Sequence, residues 1–118
     1  MEINELTHKI IGAAMRVHSA VGPGLLESVY RSCLHYELLQ MGLKVQAGFP
    51  IPVVYRAVKI DVGYRVDFLV EDTVLVELKA IAALQPVHEA IALSYVRMSD
   101  RPVGLLINFH VLHLRDGI

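Results

Sequence analysis

The segments Tyr64-Arg65-Val66-Asp67-Phe68-Leu69-Val70 and Val74-Leu75-Val76-Glu77-Leu78-Lys79 are strand-like and mostly apolar, yet both carry charge within the run. Only Glu71-Asp72-Thr73 separates them. Strand side chains alternate between faces, so Val74, Val76, Leu78 and Ala80 share one face while Glu77 and Lys79 share the other. In the first segment Val62, Tyr64, Val66, Phe68 and Val70 alternate against Asp61, Gly63, Arg65, Asp67 and Leu69. One face is expected to be core and the other to carry charge. Loop length then fixes the pairing. A two-residue turn at Glu71-Asp72 would set Asp67 opposite Val76 and split the apolar set across both faces. A three-residue loop, Glu71-Asp72-Thr73, sets Asp67 opposite Glu77 and keeps those apolar residues together. The pattern therefore predicts a loop of odd length with Asp67, Glu77 and Lys79 converging.

Two carboxylates about 5 Å apart repel by roughly 3 kcal/mol at an effective dielectric near 20. Two arrangements offset that. A divalent cation suits oxygen ligands, with Lys79 beside it as a point charge. Alternatively, Arg65 and Lys79 pair with the carboxylates on a solvated sheet face. The bare pattern of Asp followed by Glu-x-Lys is common by chance, and its placement on adjacent strands is what gives it weight.

The chain has 118 residues, enough for one domain with a single core, expected to span 1–118. With 54% hydrophobic and 19% charged residues it is not a disordered composition. No apolar run is long enough to cross a bilayer, and Met1-Glu2-Ile3-Asn4-Glu5 lacks the basic start of a signal peptide, so a cytoplasmic protein with no membrane partner is expected. The single Cys33 has no internal disulfide partner and reads as a buried, inert thiol. A formal net charge of −1 argues against a strong, sequence-blind grip on nucleic acid by the whole surface. Lys9 and Arg16, and Arg97 and Arg101, read as solvated faces rather than a phosphate track. The high apolar fraction of so short a chain suggests that a second subunit covers part of it.

Asn4 to Val21 carries Leu6, Ile10, Ala14, Val17 and Val21 at helical spacing, with Asn4 as the expected cap. Gly22-Pro23-Gly24 breaks it. A second helix is expected from Leu25 through a stripe of Leu26, Val29, Tyr30, Cys33, Leu34, Leu38 and Met41, ending at Gly42. Lys44 to Tyr55, interrupted by Gly48, Pro50 and Pro52, reads as an edge strand. After the charged hairpin, Pro86 opens a helix over about Val87 to Met98, with Val87, Ala90, Ile91, Ser94 and Tyr95 on one face. Asp100-Arg101-Pro102 turns the chain into Val103–Phe109, an apolar run expected to be covered on both faces. His110 to Leu114 is expected to extend that strand or return as a hairpin, with His110 and His113 on opposite faces and so not a metal pair. The predicted class is α/β, a single domain with a central mixed β-sheet flanked by helices.

Gly24-Leu25-Leu26-Glu27-Ser28-Val29-Tyr30 matches the signature of the GxxExxY proteins. The order of elements with Asp67, Glu77 and Lys79 resembles the PD-(D/E)xK nuclease superfamily, to which that family is assigned. Gly104-Leu105-Leu106-Ile107-Asn108-Phe109 looks like the family's closing strand. The resemblance implies a restriction-endonuclease-like core and magnesium-dependent cleavage of nucleic-acid phosphodiesters, DNA before RNA, with manganese as a substitute ion. It implies Asp67 and Glu77 as metal ligands, the Leu78 carbonyl as a third, Glu27 reaching the same cluster from the second helix, and Lys79 as the residue that orients or activates water. Without the resemblance, Glu27 reads equally as a surface partner of Arg31 four residues on. One departure stands out: the family pattern has Gln where this chain has Ile91, and an aliphatic group cannot replace an amide beside a catalytic lysine. His88 and Glu89, one turn earlier, are the polar residues nearest to substitute. The family pattern also continues beyond Ile118. The expected function is a metal-dependent nuclease; the alternative is a non-catalytic module of the same fold that binds protein or nucleic acid, and a homo-oligomer is expected in either case.

Overall fold

A computed structural model describes residues 1–61 and 63–118; Val62, expected on the apolar face, lies outside the described residues. In chain order the elements are helices α1 (Ile3–Val21) and α2 (Glu27–Gln40), strands β1 (Val45–Pro50), β2 (Val53–Tyr55), β3 (Val58–Ile60), β4 (Arg65–Val70) and β5 (Val74–Lys79), helix α3 (Pro86–Ser99), strand β6 (Val103–Asn108) and a 3-10 turn, Leu114–Gly117. The main sheet has the order β1-β4-β5-β6, antiparallel except for the parallel pair β5–β6, while β2 and β3 form a separate two-stranded ribbon.

The charged hairpin takes the register that its apolar residues require. Val70 lies opposite Val74, Leu69 opposite Leu75 and Phe68 opposite Val76, across the three-residue loop. Glu71 and Asp72 both adopt left-handed backbone, φ 52° and 54°, and Thr73 N–H closes the turn on the Val70 carbonyl at 3.0 Å. Left-handed central residues give the hairpin a twist that matches its strands. Without glycine this costs energy, and two bonds to Lys44 hold Glu71 in place: Glu71 N–H donates to Lys44 O at 2.8 Å, and Lys44 N–H to Glu71 Oε2 at 2.6 Å.

Both faces of the sheet are core, a correction to the expectation that one is simply charged. On the first face Phe68, Val70, Val74, Val76 and Leu78 pack against Leu6, Ile10, Ala14 and Val17 of α1 and against Tyr30, Leu34 and Leu38 of α2. On the second, Leu69 and Leu75 are buried with Ile51 and Val66 beneath Tyr95, Val96 and Met98 of α3. Alternation alone puts Leu69 and Leu75 with the carboxylates, and the crossover from β5 through α3 to a parallel β6 requires a helix over that face. Val66, expected beside Phe68, packs with Ile51 instead, where Ile51 N–H bonds the Tyr64 carbonyl at 2.8 Å. Gly104 permits the close approach of α3: a Cβ there would lie 2.8 Å from Val96 Cγ2.

Other expectations shift in detail. Asn4 is not the cap of α1; Glu2 occupies that position and Asn4 is inside the helix. The α2 stripe is narrower than predicted: Leu26 is 75% exposed, Val29 faces outward and Cys33 is half-buried, because Tyr30 sets the helix rotation. Its ring stacks on Phe109 at 4.6 Å, and its hydroxyl donates to Gly22 O at 2.6 Å while accepting from Leu25 N–H at 3.1 Å. The segment 44–55 is two strands, with β1 at the sheet edge as expected. β6 is also an edge strand, so Val103 to Leu106 are only half-buried rather than fully covered. His110 to His113 form neither a strand extension nor a hairpin but an irregular bend into the 3-10 turn, which packs on β6. The face reading for His110 and His113 therefore does not apply. Arg16, half-exposed and paired with Glu37 at 3.3 Å, keeps to the solvated-face reading, whereas Arg101 does not: its side chain is 25% exposed and lies over the Phe49 ring while pairing with Asp72 at 2.8 Å.

Candidate active site

The main sheet parts around Asp67. On one side the β1–β4 register skips the position opposite Asp67, where Gly48 takes φ 61°, a conformation that glycine adopts without a Cβ clash. On the other, the β4–β5 ladder ends at Phe68 and Val76. Side chains take over from the ladder: Leu78 N–H donates to Asp67 Oδ2 at 2.7 Å, and Asp67 N–H to Glu77 Oε1 at 3.4 Å. The two carboxylates therefore converge, as the register argument requires. Asp67 is 9% exposed.

The charge balance of the pair differs from both sequence-level options. Arg65 is not involved; its guanidinium donates to Gly48 O at 2.9 Å. Instead Arg31 of α2 places Nε 2.6 Å from Asp67 Oδ1. Glu77 answers with a proton: burial, then a hydrogen bond to the Asp67 carboxylate and its charge, push the Glu77 carboxyl up to about 8, against a smaller opposing effect of Lys79. Lys79 lies two residues along the same strand face, half-buried, and among the described residues has no ion-pair partner.

Glu27 is the first residue of α2 and bonds Arg31 Nη2 at 3.4 Å, so it joins the cluster through the guanidinium. Among the described residues no three carboxylate, histidine or cysteine side chains gather closely enough to form a cage for an ion. Arg31 is the site neighbour that sequence reasoning missed; its signal was the four-residue spacing from Glu27, read only as a local pair. Asn108 was missed too. It is fully buried, its Oδ1 accepts from Ile81 N–H at 3.1 Å and its Nδ2 donates to Ile81 O at 2.9 Å, while Phe109 N–H bonds Lys79 O at 2.9 Å. Together these fix the end of β5 that carries Lys79.

Ile91, where the family pattern has Gln, is 40% exposed. With Tyr64, Ala90, Ser94, Tyr95 and Met98 it lines a cavity of about 380 Å³. Tyr95 is close enough to the acidic pair that burial first, and then Glu77, Tyr64 and Asp67, raise its pKa. His88 is committed elsewhere: its Nδ1 accepts from Gln85 N–H at 2.8 Å and so caps α3. Among the described residues neither it nor Glu89 hydrogen-bonds Asp67, Glu77 or Lys79.

A four-stranded mixed sheet with helices on both faces, and a carboxylate pair and lysine where its central strands part, defines an α/β domain of nuclease type. A family model described as the PD-(D/E)XK nuclease superfamily matches residues 4–118, and the chain belongs to that superfamily. Nucleases of this superfamily generally use divalent metals, and membership implies a nucleic-acid substrate. No match is found among curated proteins or solved structures. No helix is long and apolar enough to cross a membrane among the described residues.

The site's donors fit such an ion. Magnesium is commonly held by one or two carboxylates with water completing its shell, so a full protein cage is not needed. Asp67 and Glu77 supply two oxygen donors, of which Glu77 retains a proton near neutrality through burial first and then through its hydrogen bond to Asp67 and the charge there, and a doubly charged ion offsets both causes. Arg31 Nε bonds Asp67 Oδ1 and Leu78 N–H bonds Oδ2, and the Glu77 proton is shared with the same carboxylate, a place that an ion takes when that proton leaves.

Proposed function

We propose that this domain is a magnesium-dependent nuclease, with manganese able to substitute, acting on DNA in preference to RNA. The observation that carries the reading is the parting of the sheet at Asp67, which brings Asp67 and Glu77 together beside Lys79 in a superfamily of nucleases. Asp67 and Glu77 would hold the ion. In an extended strand the N–H and C=O of one residue point to the same edge; Leu78 N–H points at Asp67, so its carbonyl is proposed as a third ligand. Glu27 is the proposed fourth, within one guanidinium of Asp67. When bound, such an ion polarises a phosphate and lowers the pKa of water.

The chain's own groups do the rest. Leu78 N–H holds the Asp67 carboxylate by its Oδ2. Glu77 gives up the proton that it holds while the site is metal-free. Lys79 orients the attacking water and offsets charge on the phosphate in the transition state, and Asn108 keeps the end of β5 in place. The same proposal includes the GxxExxY branch, on Gly24, Glu27 and Tyr30, a cytoplasmic location, and a second copy covering part of the exposed apolar surface, of which Val54, Tyr55 and Val58 of the β2–β3 ribbon are 59–62% exposed.

The test is cleavage of plasmid and oligonucleotide DNA and RNA with magnesium, manganese or chelator, comparing wild type, Lys79→Ala and Asp67→Ala. Metal-dependent cleavage is expected for the wild type and a loss of at least about a hundredfold for each variant, the usual scale for a general acid–base or charge-stabilising group. Activity unaltered in either variant overturns the assignment. A second reading, a non-catalytic binding module, is favoured by Ile91 and by the Arg31–Asp67 ion pair, and metal binding without cleavage would support it.

A further inference from the structure

Arg31 sets its guanidinium between two carboxylates from different elements, Nε at 2.6 Å from Asp67 Oδ1 and Nη2 at 3.4 Å from Glu27 Oε1. We infer that Arg31 stands in for the divalent ion: it balances the site's charge in the metal-free protein, and metal binds by displacing it from Asp67. The inference rests on the metal-dependent reading above and adds the regulation of that site. Three observations carry it. Asp67 Oδ2 is held by the backbone amide of Leu78, so Oδ1 is the oxygen whose partner can exchange, and Arg31 occupies it. The exposures differ in the needed direction: the Arg31 side chain is 41% exposed and that of Asp67 9%, so the arginine can leave while the aspartate stays. Glu27, one turn back on the same helix, already holds the other end of the guanidinium through Oε1 and can keep it there after release from Asp67, which leaves its second carboxylate oxygen for the ion.

A half-exposed arginine changes rotamer within nanoseconds, so exchange needs no movement of α2 or the sheet. An ion that must break this charge-assisted bond binds more weakly than one entering a vacant site. Arg31 therefore sets a threshold of metal concentration below which the acidic pair stays closed. Its removal should tighten metal binding, whereas removal of an arginine that merely braces the site would weaken it.

The experiment is manganese titration by calorimetry on wild type, Arg31→Ala and Arg31→Gln, with thermal melts of each protein with and without manganese. The Gln variant keeps a hydrogen-bonding side chain without charge, should the Ala variant fold poorly. The expected result is about tenfold tighter binding in the variants, the equivalent of about 1.4 kcal/mol, with a lower metal-free Tm and a larger rise on adding manganese. Equal or weaker binding in the variants, with wild-type binding present, overturns the role of Arg31 and leaves the nuclease reading standing. Absence of binding in all three proteins overturns both.

Discussion

Glu77 carries the most informative charge in the molecule, because its carboxyl is held up to about 8 from an ordinary 4.5 by burial and by Asp67. A folded-state pKa above the unfolded one means that the native protein binds the proton more tightly. That contribution to stability is complete below about 4.5 and is lost as pH rises through about 8. In the metal-free protein the urea midpoint should therefore fall as pH rises across this window. A tenfold change in proton affinity is worth about 1.4 kcal/mol, so the slope is readable. Glu77→Gln, neutral at every pH, should flatten it; a variant midpoint that falls as steeply as the wild type's contradicts the assignment. Period-two alternation was enough to read the shared face of Asp67 and Glu77 from sequence, because only a loop of odd length keeps the flanking apolar residues together. It could not give Arg31, which arrives from a helix 36 residues away, since no local periodicity encodes which helix face lies over which strand position.

At the scale of elements, α3 is the least deeply packed of the helices α1 to α3: among the described residues Ser99 is its only buried one, and the helix rests on β6. Their contact turns on Gly104, where a Cβ would meet the branched and inflexible Val96 side chain. Gly104→Ala should destabilise the protein by about 1–3 kcal/mol, read by urea unfolding, and Val96→Ala in the same chain should recover most of that loss. A neutral Gly104→Ala would mean that α3 does not approach β6 so closely. Helices and strands with strong periodicity were legible, including the stop at Gly42, where Leu43 N–H bonds Leu38 O at 3.3 Å. The second core was not. Leu69 and Leu75 share a face with the carboxylates, and a reading that sorts faces into apolar and charged has no place for a face that is both. The bend at His110–His113 was also missed, because its alternation mimics a strand while Asn108 and Gly117 turn the chain there: a Cβ on Gly117 would collide with the Asn108 carbonyl.

For the whole molecule, the three layers place their two cores on either side of one sheet, and the charged cluster sits where that sheet opens between them. The radius of gyration, 14.1 Å, slightly exceeds the roughly 13.5 Å expected for a compact chain of this length, in line with the exposed β2–β3 ribbon. Membership of a nuclease superfamily, a sheet that opens at Asp67 and a carboxylate pair that retains a proton without metal all point to one centre that takes up a divalent ion. Calorimetric titration of magnesium into the wild type and into Glu77→Gln near pH 7, each in two buffers of different ionisation enthalpy, tests this most directly. The account predicts saturable binding with proton release in the wild type and its loss in the variant; equal heats from both proteins, or no binding to the wild type, would contradict it.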